Sequence, residues 1–128
     1  MASEGLHEPH DLMREATIDR HRATVSLMEE LEAVDWYDQR VDATGDTELA
    51  DVLAHNRDEE KEHAAMTLEW LRRHDPALDR HLRTYLFTTA PVTEVEVEVE
   101  AAAADASSPP STAGTGSLGI GSLKGATR

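Results

Sequence analysis

The chain has 128 residues, of which 26 are Asp or Glu and 12 are Lys or Arg, and its formal net charge of −14 repels nucleic acid and anionic membranes while favouring cations. It has no cysteine, so disulfides, thiolate metal sites, iron–sulfur clusters and thiol catalysis are excluded together, and any metal site must use Glu, Asp and His. No apolar run approaches the span of about 20 residues needed to cross a bilayer, and the stretch from Met1 to Gly5 lacks the basic and apolar regions of a signal peptide, so a cytosolic protein with one small domain is expected.

Residues 1–8 are polar and expected to be loose. Pro9 suits the first position of a helix, where its missing N–H is not needed, so the folded domain is placed at residues 9–90. From Asp11 to about Thr44 there is no Pro or Gly, and Ala23, Leu27, Leu31 and Val34 recur at helical spacing, with Ala16 and Val25 nearby. Gly45 is expected to stop this helix and Asp46 or Thr47 to cap the next. The connection is short, so the two helices should pack antiparallel. The second should run from about Thr47 to His74, with Leu49, Leu53, Glu60, His63, Ala64, Thr67 and Leu71 on its inner face. Asp75 and Pro76 break it and begin a third, shorter helix reaching about Phe87, which carries Leu78, Leu82, Tyr85 and Leu86.

Val92 to Glu100 alternate strictly, a pattern that taken alone reads as a strand. With no strand to pair with and an Ala-, Ser-, Pro- and Gly-rich stretch following, residues 91–115 are expected to be a disordered acidic linker. In residues 116–128, Leu118, Ile120 and Leu123 reappear between small residues, as in a short docking peptide on a flexible tether.

The candidate chemistry lies in the helices. Glu60 and His63 stand at i and i+3, on one helix face with Cβ atoms about 5–6 Å apart, so both can reach one metal ion. Glu30 interrupts the apolar stripe of the first helix in the same way. One Glu from one helix and Glu-x-x-His from its neighbour are half the ligand set of a carboxylate-rich di-metal bundle. The chain carries this set once, and a hairpin this small leaves much apolar surface uncovered, so both observations predict a homo-oligomer. A buried Glu–His or Glu–Arg pair that fixes oligomer register is the competing reading. Glu29 and Glu32 share a different face and suit either a secondary cation site or a solvated acidic surface. Tyr37, on the face of Glu30, could hydrogen-bond a metal-bound carboxylate. Trp36 reads as packing and Trp70 as core or interface. Arg57, Asp58 and Glu59 read as solvated or inter-subunit surface, and His21, His55, His74 and His81 show no ligand spacing.

The run from Met28 to Arg40, the run from His55 to Met66 and the tail closely resemble encapsulated ferritins, over roughly residues 8–90 and the last ten or so. The resemblance implies an all-α fold: an antiparallel two-helix hairpin with a short C-terminal helix, dimerising into a ferritin-like four-helix bundle, with a disordered tail. Such dimers close into a ring-shaped decamer. The resemblance also implies that Glu30, Glu60 and His63 of two chains hold two irons, with Tyr37 behind them and Glu29, Glu32 and Trp36 at the metal's point of access. Residues 116–128 would be an encapsulin-targeting peptide, with Leu118, Ile120 and Leu123 docking on the shell wall. The implied activity is oxidation of Fe(II) to Fe(III) by O2, with ferric iron delivered for storage inside an encapsulin nanocompartment in the bacterial cytoplasm. Ca(II) or Zn(II) are expected as stand-ins for iron in vitro. A non-catalytic helical cargo or scaffold protein that self-associates and docks on the shell is the alternative. The acidic Val–Glu stretch departs from the family pattern, a departure that puts nothing catalytic in doubt.

Overall fold

The computed structural model describes residues 5–107, all of whose regular structure is helical. Pro9 opens a short turn rather than the first long helix. A single 3-10 turn spans His10–Leu12, Met13 and Arg14 are extended, and α1 follows at Glu15–Ala43. Thr44 ends α1 by turning extended, so Gly45 is not needed in the left-handed conformation that was expected of a glycine stop. Asp46 then caps α2 (Thr47–Arg73), its side chain accepting the Leu49 N–H at 3.0 Å, while Thr44 Oγ1 accepts the Asp46 N–H at 3.1 Å. This tight connection reverses the chain and lays α2 antiparallel along α1.

The start of α3 (Pro76–Tyr85) is built as the sequence predicts. Asp75 accepts the Leu78 N–H at 3.0 Å, and Pro76 sits where an N–H is not required. Leu86 is extended, so α3 ends slightly before the Phe87 expected for it. A charge network sets its angle to α2. Arg72 donates to both Glu69 oxygens at 2.7 Å and to Asp79, Arg73 donates to Glu69 at 2.7 Å, and Arg83 donates to Asp79 at 2.9 Å. Hydrogen bonds from Arg72 and Arg73 hold the Glu69 carboxyl at a pKa of about 2, and Arg72 likewise holds Asp79 below the usual carboxylate range.

The chain divides into two units, the second beginning at Phe87. In the first, Ile18, Ala64 and Leu71 are the buried apolar residues among those described, while Leu31, Trp36, Leu49, Val52, Met66 and Trp70 are exposed. Leu31 and Leu49 were expected on inner stripes. Both are turned out because the seams that meet run through other positions. A hairpin with so little sealed interior and so much exposed apolar surface is short of partners.

The second unit contains α4 (Val92–Ser107), which corrects the expectation of a disordered linker over those residues. The two-residue alternation had no strand to pair with, whereas a helix satisfies its own backbone. Glu94 and Val95 donate their N–H groups to the Pro91 carbonyl at 2.9 and 3.1 Å, Glu94 lies in the first turn where the helix dipole favours a carboxylate, and Ala101 to Ala104 are strong helix formers. The remainder of the expected linker and the docking peptide, with Leu118, Ile120 and Leu123, lie outside the described residues.

Candidate metal centre

Two half-buried seams face each other in the hairpin. On α1 the seam is Ala23, Leu27, Glu30, Val34, Tyr37 and Val41, with steps of four and three residues in alternation. On α2 it is Leu53, Arg57, Glu60, Ala64, Thr67 and Leu71, with the same alternation. This is the spacing of helices that pack nearly parallel in a bundle. Both candidate carboxylates therefore lie in the seams. Two contacts set the register: Thr67 Oγ1 donates to Glu30 Oε1 at 3.2 Å, and Arg57 donates to Asp38 Oδ1 at 3.0 Å.

Glu30 is the most constrained of the candidate ligands. One of its oxygens is held by Thr67, and the other, Oε2, is buried without a hydrogen-bond partner. A sealed and unpaired polar group costs about 1–3 kcal/mol. A carboxylate oxygen in that state can accept a further donor or a cation.

Glu60 and His63 form the second element. His63 Nδ1 lies 3.7 Å from Glu60 Oε2, an ion-pair distance rather than a hydrogen bond, with side-chain exposures of 48% and 28% respectively. His63 was expected on the inner face of α2. It stands instead on the flank of the seam, next to Glu60 but open to the outside.

The chain does not close these elements into one site. Among the described residues no group of three or more His, Asp or Glu side chains is placed to hold a metal ion. The register explains this, since Glu30 stands level with Thr67, about one turn beyond His63 and about two beyond Glu60. Tyr37, expected behind Glu30, is level with Glu60 in that register. The Arg40 guanidinium lies 5.6 Å from the Tyr37 ring and 5.9 Å from that of Trp36, which is itself exposed. Glu29 is exposed and Glu32 half-buried, both off the seam on α1.

Two residues of the seam were not singled out from the sequence. Arg57, expected on a solvated or inter-subunit surface, lies in the seam with a side chain 23% exposed and bridges Asp38 and Asp58. Hydrogen bonds to these two aspartates raise its pKa. Its position three residues before Glu60 and seven before Ala64 was the available signal. Thr67 was placed on the inner stripe, but its pairing with Glu30 required the inter-helix register.

The family described as EncFtn-like matches residues 5–89. The chain belongs to the encapsulated ferritin family. An encapsulated ferritin-like protein of Rhodospirillum rubrum is 61% identical over 127 residues, which covers 97% of this chain and 91% of that protein. A ferritin-like protein of Thermotoga maritima is 56% identical over 89 residues, covering 70% and 78% of the two chains. An encapsulin nanocompartment cargo protein of Myxococcus xanthus is 36% identical over 59 residues, covering 46% of this chain and 45% of that one. The crystal structure of a Nitrosomonas europaea protein superposes with a TM-score of 0.67 at 61% identity, covering 69% of this chain and 97% of that one. The matched span contains Glu30, Glu60 and His63, and the long match to the Rhodospirillum rubrum protein extends beyond α3.

Proposed function

We propose that this encapsulated ferritin is a ferroxidase whose site is completed by two copies of the chain. The observation that carries the reading is the sealed, unpartnered Glu30 Oε2, in the same pair of seams as Glu60, which His63 flanks, with no group of three ligands brought together among the described residues. The donor chemistry fits iron, because hard carboxylate oxygens and neutral imidazole suit Fe(II). A second copy related by a two-fold axis would supply the missing half-set.

The α2 surface favours such a partner. Leu49, Val52, Met66 and Trp70 are exposed apolar residues, and with exposed His63 they share one stripe of α2, apolar at its two ends and carrying the polar Asn56 and Glu59 between Val52 and His63. Burying this stripe against another copy would carry His63 inward.

Fe(II) is then the substrate: each ion gives up one electron, O2 accepts the electrons, and accumulated carboxylate charge favours the ferric product. Glu29, Glu32 and Trp36 are proposed as the point of metal access and Tyr37 as a support to the ligand carboxylates. By analogy with the relative named as an encapsulin nanocompartment cargo protein, the product would pass into an encapsulin shell to which residues 116–128 dock; the ring-shaped homodecamer is proposed on the family resemblance alone.

The test is anaerobic loading with Fe(II) at two ions per pair of chains, admission of air, and ferric absorbance followed beside light scattering. Wild type should oxidise iron rapidly in a metal-promoted oligomer. Glu30→Ala, Glu60→Ala and His63→Ala should each lose most of the rate while keeping helical circular dichroism. Full activity in all three would overturn the assignment and leave a helical cargo protein.

A further inference from the structure

The Thr67 hydroxyl has two acceptors and one proton. Glu30 Oε1 lies 3.2 Å away and the His63 carbonyl 3.1 Å away, one turn back on the same helix. Donation to a carboxylate is the stronger bond, so with Glu30 ionised and metal-free the proton goes to Oε1 and leaves Oε2 alone unpaired. A cation that takes Oε2 alone leaves this bond intact. A cation that needs both oxygens of Glu30 must displace the proton, and the His63 carbonyl is in place to receive it.

We propose that Thr67 is the positioning residue for Glu30, a two-position hydroxyl that presents Oε2 to an arriving metal and turns to the His63 carbonyl when Oε1 is drawn into coordination. The inference rests on the metal-site reading above and adds a residue that this reading leaves without a role. It also gives the pairing of α1 and α2 a purpose in the site, because one hydroxyl touches the α1 ligand and the backbone of the α2 ligand. The cost of keeping the alternative open is small. A Thr hydroxyl bonded to the carbonyl one turn back is common in helices, and because Oγ1 is already within reach of both acceptors the switch needs only a turn of the O–H about the Cβ–Oγ1 bond.

The experiment uses the full chain and redox-inert Zn(II), with binding followed by calorimetry and coordination by the visible spectrum of Co(II). Thr67→Val removes the hydroxyl and keeps the shape, and Thr67→Ser keeps the hydroxyl. Removing a group that orients a ligand typically lowers metal affinity about 10–100-fold. Thr67→Val should show a loss of this size and a changed Co(II) spectrum, while Thr67→Ser retains wild-type affinity and spectrum, both variants keeping their helical content. Thr67→Val binding Zn(II) within about twofold of wild type, with Glu30→Ala strongly impaired, would overturn the role of Thr67 and leave the site standing. Equal losses in Thr67→Val and Thr67→Ser would also overturn it, because the hydroxyl would then not be what matters. Zn(II) binding unaffected by Glu30→Ala would instead overturn the metal-site reading itself.

Discussion

Glu30→Met should stabilise the metal-free protein and abolish its response to metal. Glu30 Oε2 is sealed without a partner, which costs about 1–3 kcal/mol. The substitution creates no new orphan, because the Thr67 hydroxyl falls back on the His63 carbonyl at 3.1 Å. Replacing a whole buried ion pair by apolar groups of similar volume is neutral to stabilising by about 1–4 kcal/mol, and removing a lone sealed oxygen acts in the same direction because no partner charge is left behind. Glu30 is part-buried and gives up its bond from Thr67, so a gain near the lower end, about 1 kcal/mol, is expected. For a domain of this size that raises the unfolding midpoint by about 4–8 °C. Metal acts in the other direction. Zn(II) at a hundred times its Kd would stabilise wild type by about 2.7 kcal/mol, and a variant without the ligand gains nothing. The order of stabilities should therefore reverse between chelator and Zn(II) in thermal unfolding followed by circular dichroism. A Glu30→Met protein less stable than wild type in chelator, or one that gains as much from Zn(II), would refute the assignment of Oε2 as a metal-ligand position.

Two further outcomes follow from the charges. Hydrogen bonds from Arg72 and Arg73 depress Glu69 from an ordinary 4.5 to about 2, so its stabilising effect is fully present above pH 4.5 and is lost as pH falls through the interval to about 2. Glu69→Gln should therefore be less stable than wild type at neutral pH and converge on it in strong acid, read as urea midpoints across pH; a constant offset would contradict this. In α4, Glu94 and Glu98 repel at i and i+4, and Glu98→Lys converts this to an attraction, a change of about 0.5 kcal/mol in helix stability. Carbon chemical shifts over Val92–Ser107 should move toward helix and lose the gain in high salt, whereas unchanged shifts would mean that charge does not limit this helix.

Local chemistry makes much of the hairpin legible in the sequence alone. Asp46 as a cap, Asp75 and Pro76 as a stop and restart, and the uninterrupted runs of α1 and α2 depend on neighbours within a few residues, and so did the Glu60–His63 pair. Periodicity also placed Glu30 on an apolar stripe. It was weaker on rotation. A small angular error accumulates along helices of 29 and 27 residues, so the pattern puts Leu31, Leu49 and His63 inside although all three face out. The Val–Glu alternation misled for a related reason, since its two-residue period is meaningful only where a neighbouring strand exists.

What tertiary structure alone decided is the inter-helix register. Composition and spacing determined an acidic, cysteine-free helical hairpin with one half-set of metal ligands. They could not determine that Glu30 meets Thr67, that Arg57 lies in the seam beside Asp38, or that Tyr37 is level with Glu60. Those pairings join residues far apart in the chain, and they depend on the length of one connection and on how two seams interlock. The same register keeps Glu30 about two turns from Glu60, leaving each ligand group short of partners within its own chain.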